Sequence, residues 1–224
     1  RLGPGPRGAG CPERELRRLG GAQPAAQGLS AREDILAALR TARPPGEHPL
    51  PALPRFPGLE GDLLAAFKAS LAVMGGQWVA PARGEPLGAF IRARVGDGPL
   101  IRSATDELPD FPRVDAVNRP RDLENVDVAV VRARFGVAET GSVFLSDREL
   151  RVNTIAYLAQ HLIVLLDPGA IVPGIADAYR RPDFAEARYV SLMTGPSATA
   201  DIEGVMIRGA QGVRSLTVVF APIG

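Results

Sequence analysis

The sequence predicts an α/β fold: a mostly parallel sheet with helices on both faces, entered through an N-terminal arm. Three observations predict it. Apolar runs such as "HLIVLLD" and "SLTVVFA" lack polar alternation, as strands covered on both faces do. Segments with helical spacing of apolar residues separate them. Ten of the 21 prolines fall in residues 1–57, which sets that stretch apart as a Pro/Gly-rich arm before a body spanning residues 58–224. With 224 residues, 46% of them apolar, the chain is long enough to bury roughly 70% of its extended surface without disulfide or metal staples.

The elements follow in order. In the arm, "LSAREDILAALRTA" has Ser30 and Glu33 at capping-box spacing and Ile35, Leu36 and Leu39 on one face, so a short helix docked on the body is expected. Leu59, Leu63, Leu64, Phe67, Leu71 and Met74 line one side of a second helix that Gly75 and Gly76 end. "QWVA" reads as a short strand. "EPLGAFIRARVG" reads as a helix with Pro86 in its first turn and Gly96 past its end, and "PLIRSA" as the next strand. After a Pro-rich loop over residues 105–121, "VDVAVVRA" and "SVFLS" flank "RFGVAETG". "HLIVLLD", "RYVSLMT" and "SLTVVFA" complete the parallel sheet, with helices expected near Ile171–Tyr179 and Thr199–Ile207.

Charge and composition exclude several function classes. The net charge is +1, and the first 28 residues hold five arginines against Glu13 and Glu15, a local +3, which leaves the remainder at −2. A nucleic-acid binder would carry its basic face on the folded body. The longest aliphatic run, Leu162–Leu166, is too short to span a bilayer, and no signal-peptide core is visible, so a cytoplasmic protein is expected. Cys11, the single cysteine, cannot form an internal bridge, and with His48 and His161 it does not make a metal-ligand cluster. The phosphate-binding, dinucleotide-binding and nucleophile-elbow motifs are absent.

Three stretches combine residue types that bind or react. "MTGPSATADIEG" follows a strand. If it opens a helix, Gly195, Ser197 and Thr199 present donors to an anion at the helix start, with Asp201 and Glu203 beside them. The same residues also read as plain capping, Thr199 as N-cap and the two acids answering the dipole. In "GVAETGS", Glu139 beside Thr140 and Gly141 would serve as a base or nucleophile if the loop desolvates it; otherwise the triplet is a solvated turn. In "RGAQGVRS", Arg208 and Arg214 flank a Gly-rich turn, and an arginine such as Arg208 grips a carboxylate or phosphate bidentately or remains a surface charge. His161, opening a strand, reads as a structural histidine or a site residue.

Taken together, "GVAETGSVFL", "HLIVLLDPGAIVP" and "TGPSATADIEGVMIRGAQG" resemble the LUD-domain family, in the family's order and over roughly the C-terminal 100 residues. The resemblance implies a NagB/RpiA/CoA transferase-like fold. It also implies one component of a bacterial three-protein system that oxidises L-lactate to pyruvate beside iron–sulfur partners. Four cysteine ligands per cluster are needed, so clusters are expected in the partners and no cofactor on this chain. Where the family often has Gly-x-His-Gly-Pro before its last strand, Gln211 and Val213 stand at the His and Pro positions, so no histidine acid or base is implied there. Glu139, Thr140, Gly141, Gly195, Ser197, Thr199, Asp201 and Glu203 stand where the family pattern has them.

Two functions follow as expectations. The first is a non-redox component of that lactate system. The second is a stand-alone CoA-transferase-like enzyme or ligand sensor using Glu139, with the 195–203 loop holding a small carboxylate or phosphate. The Arg-rich arm, with few apolar residues beyond Leu16 and Leu19, would embrace a second copy of the chain.

Overall fold

The computed structural model describes residues 30–49, 51, 52, 54, 56–117, 119–201 and 203–223. Expectations that fall on residues 1–29, the embrace of a second copy among them, lie outside the described residues. The chain divides into two compact units at residues 52 and 53.

In the first unit, α1 spans Ala31–Ala42, and the expected capping box is formed: the Glu33 carboxylate accepts the Ser30 backbone N–H at 2.6 Å. No residue of α1 is buried, and Ile35 and Leu39 of its apolar stripe are exposed.

The second unit opens with α2, Leu63–Val73, whose N-cap Asp62 accepts the Ala65 N–H at 3.0 Å. Leu59 falls before the cap and is exposed, because Gly61 at φ +91° breaks the helical path that the apolar spacing would have continued. Phe67 and Leu71, one turn apart, are fully buried. β1 is Gln77–Val79, α3 is Leu87–Val95 and β2 is Ile101–Ser103. Pro86 is the N-cap residue of α3 rather than part of its first turn, and Gly96 ends the helix at φ +81°.

Two short 3-10 turns, Val114–Ala116 and Pro120–Leu123, occupy the Pro-rich loop. They precede β3, Val128–Arg132, and β4, Phe135–Val137. Then come β5, Ser142–Ser146; α4, Asp147–Leu150; α5, Ile155–Leu158; β6, His161–Leu166; β7, Ile171–Val172; α6, Ile175–Tyr179; and α7, Asp183–Glu186. The chain closes with β8, Val190–Met193; β9, Ala198–Thr199; β10, Ile207–Arg208; and β11, Ser215–Phe220.

Five strands form an all-parallel sheet in the order β1-β11-β6-β3-β2. The run "HLIVLL" lies between two parallel neighbours, which is why it reads as continuous hydrophobicity. Its odd-numbered residues Ile163 and Leu165, with Val128, Val130 and Val219, pack under Ile91 and Phe90 of α3. Its even-numbered residues Leu162, Val164 and Leu166 join Phe67 and Leu71 of α2 and Ile155 and Ala156 of α5. Helices thus cover both faces, as expected.

Three expectations are corrected. "RYVSLMT" does not enter the parallel sheet: β8 pairs antiparallel with β5 in a second, mixed sheet ordered β7-β4-β5-β8. Its β5 residues Val143 and Leu145 face the main core, whereas Phe135, Val137 and Phe144 build a separate cluster with Ala178. An apolar run reports burial, not which sheet buries it. Ile171 and Val172, assigned to a helix, are the strand β7, and the helix starts only after Gly174.

The third correction concerns residues 199–207, whose described residues form no helix. β9 and β10 pair antiparallel, Thr199 opposite Ile207 and Ala198 opposite Arg208. Glu203 and Gly204, at φ +52° and +72°, are consecutive left-handed residues that turn the chain back on itself. The exposed Val205, Met206 and Ile207 offer no apolar stripe that a helix could bury.

Candidate functional site

The residues singled out by sequence separate into three places. Glu139 closes the extension of the β4–β7 pair: its N–H donates to the Pro173 carbonyl at 3.1 Å and its carboxylate accepts the Ile175 N–H at 2.8 Å. The side chain is exposed. It lines a cleft of about 320 Å³ with Phe56, Gly58, Gly174 and Asp177. A second carboxylate, Asp177, makes that cleft unfavourable for an anion.

Thr140 and Gly141 turn the other way. Gly141, at φ +68° and buried, lies so close to α2 that an added Cβ would meet the Leu71 backbone nitrogen at 2.3 Å. The Thr140 and Ser142 hydroxyls are 2.7 Å apart, and Ser142, 2% exposed, also bonds the Thr194 hydroxyl. Gly195, at φ +67°, sits against the end of α2, where an added Cβ would meet the Met74 carbonyl at 2.5 Å. One ladder of hydroxyls thus ties the Glu-Thr-Gly turn to the Thr-Gly-Pro-Ser turn, and both turns rest on the second half of α2. Each hydroxyl has a protein partner, so the cluster is a satisfied scaffold.

The third place is the β9–β10 hairpin. Ser197 is pinned at its base, its N–H donating to the Val213 carbonyl at 2.9 Å and its carbonyl accepting the Gly209 N–H at 2.6 Å. The Thr199 hydroxyl accepts the Asp201 N–H at 3.4 Å rather than capping a helix, and Asp201 and Glu203 are exposed on the turn. The anion site expected at a helix start therefore loses its donors. The Arg208 guanidinium lies over Gly75. No hydrogen bond among the described residues joins Glu139 to residues 195–203, and the cleft that Glu139 lines includes none of them.

The structure adds a place that sequence reasoning missed. Outside the carboxyl ends of β2 and β3, where open α/β sheets usually bind ligands, a crevice of about 280 Å³ is lined by Arg132, Arg134, Arg148 and Arg151. Acids occupy these cations: Asp106 pairs with Arg113 at 2.9 Å and Arg151 at 2.8 Å, Glu107 with Arg132, and Glu149 with Arg134 at 3.0 Å. Asp147, beside them on α4, is held below the usual aspartate range by the backbone N–H groups of Tyr189 and Arg188. The visible signal was the density of arginine in "VVRAR" and "DRELR" immediately after two strands.

The turns at Glu139–Gly141 and Gly195–Ser197 both fall within residues 94–221, the span over which the LUD domain matches this chain. The chain belongs to the LUD domain family. Among LUD-related sequences, "Lactate utilization protein C" of Geobacillus thermodenitrificans (strain NG80-2) is 25% identical over 187 residues, covering 68% of this chain and 75% of that protein. "Uncharacterized protein YkgG" of Escherichia coli (strain K12) is 30% identical over 95 residues, a match that covers 40% of this chain and only 41% of YkgG. The crystal structure of a DUF162 family protein from Deinococcus radiodurans superposes with a TM-score of 0.55 at 15% identity, over 70% of this chain and 95% of that one, a likeness of fold. Among the described residues, no helix of this LUD-domain chain is long and apolar enough to cross a membrane, and no group of three or more His, Cys, Asp or Glu is placed to hold a metal ion.

Proposed function

We infer that this chain is a non-redox component of a bacterial L-lactate utilisation system, in which lactate is converted to pyruvate with iron–sulfur partner proteins. The observation that carries the reading is the match to lactate utilization protein C, which runs through three quarters of that protein rather than one motif. Oxidising a 2-hydroxy acid to a 2-oxo acid removes two electrons. A chain with one cysteine does not supply the four thiolates of a cluster, so iron–sulfur clusters in such a system would belong to partners.

The reading is tested by tagging the chain in its native host, growing the cells on L-lactate and capturing the protein under anaerobic conditions. Chains with the visible absorption of iron–sulfur clusters should co-elute. Recovery of the tagged chain alone, at salt concentrations low enough to preserve weak complexes, would contradict it.

A further inference from the structure

The α3 side of the parallel sheet carries a further cavity of mixed polar and apolar lining, at the amino ends of the strands. His161 and Ser215 are register partners on β6 and β11, and His161 Nδ1 lies 2.8 Å from Ser215 Oγ. With Thr217, the buried Val128 and Ile163, and Arg94 from the last turn of α3, they line about 280 Å³. Among the described residues, no aspartate or glutamate lines this cavity. Arg94 makes no hydrogen bond or ion pair among the described residues, unlike Arg132, Arg134 and Arg151 in the crevice at the opposite end of the strands. His161 Nε2 has no hydrogen-bond partner among the described residues.

We propose that this cavity binds a short-chain carboxylate. Arg94 is a whole positive charge able to grip a carboxylate through two parallel N–H groups. It outweighs the roughly half negative charge that the end of α3 presents nearby. Val128 and Ile163 provide an apolar floor for an alkyl stem. His161 Nε2 and the hydroxyls of Ser215 and Thr217 are available to an oxygen next to the carboxylate. The volume lies just below the ~300–1,000 Å³ typical of sites for drug-sized ligands, which favours an anion of a few heavy atoms over a nucleotide or a CoA ester. That L-lactate is the preferred member of the class rests on the lactate-utilisation reading; the cavity and its carboxylate chemistry do not.

The test is an NMR titration of the chain with sodium acetate, L-lactate, pyruvate and inorganic phosphate at low ionic strength, following the His161 ring signals. Millimolar saturable shifts with the carboxylates are expected. Arg94→Gln should weaken all three at least tenfold, and His161→Gln should weaken L-lactate more than acetate. Both side chains are exposed, and unchanged thermal melts would confirm that each variant folds. Carboxylates that leave the ring signals unmoved, binding unaffected by Arg94→Gln, or a response to phosphate alone would each overturn the proposal. Acetate bound as well as L-lactate would uphold the site while removing L-lactate as its preferred ligand, so failure of the lactate reading is told apart from failure of the cavity.

Discussion

Gly141→Ala is expected to destabilise the protein by about 3 kcal/mol or more, since a left-handed alanine costs roughly 1–2 kcal/mol and overpacking typically adds 1–3. The second contribution is at the upper end because the obstacle is backbone. The new Cβ would lie 2.3 Å from the Leu71 nitrogen and 2.6 Å from its Cα, atoms fixed in the helical ladder of α2. Relief requires α2 to move away from β5, which also disturbs the Thr140–Ser142–Thr194 hydroxyls. Gly84 is the matched control. It has φ +81° but nothing within 4 Å of an added Cβ, so Gly84→Ala should cost only the conformational part, roughly 1–2 kcal/mol. Urea unfolding of the two variants beside the parent separates the effects; equal losses would show that α2 does not press on the turn.

Phe67→Ala should cost about 3–5 kcal/mol, the range for emptying a fully buried aromatic site. Phe67 is 0% exposed, meets the Phe220 ring edge-on at a centroid distance of 6.1 Å and fills the space above Gly136, where even a methyl group would come within 2.9 Å of its ring. Strands on one side and α2 on the other restrict collapse into the void. The loss should therefore sit near the top of the range, as a lower urea midpoint with an unchanged slope. A loss below about 1 kcal/mol, the scale of volume-conserving core swaps, would mean that the α2 side of the core repacks freely.

The centre of the parallel sheet was legible because Leu162–Leu166 and Leu216–Phe220 are covered on both faces, and an apolar run bounded by turns suits that environment. Helix ends were legible where a cap does local chemistry, as at Ser30–Glu33 and Gly96. The second sheet was hidden, because Val190–Met193 has the same apolar character whether it pairs with β5 or with β6, and pairing is decided far away in sequence. The failure at residues 199–207 has a sharper cause. Thr199, Asp201 and Glu203 have the composition of a helix start, yet the left-handed pair at Glu203–Gly204 and the absence of a partner surface for Val205–Ile207 favour a hairpin.

The candidate residues were legible as a family pattern but not as a constellation. Glu139, Thr140 and Gly141 are consecutive, yet the first faces a cleft and the last braces a helix, a division set by the turn between β4 and β5. Ser215 and Arg94 had no sequence signal at all. They acquire meaning only because strand register sets Ser215 beside His161 and α3 ends above them.

A role in lactate utilisation is tested most sharply by growth of the native host on L-lactate as sole carbon source after in-frame deletion of the coding sequence, with pyruvate as the control carbon source. Loss of growth on L-lactate, intact growth on pyruvate and restoration by the intact gene are the expected results. Undiminished growth of the deletion strain on L-lactate would contradict that role.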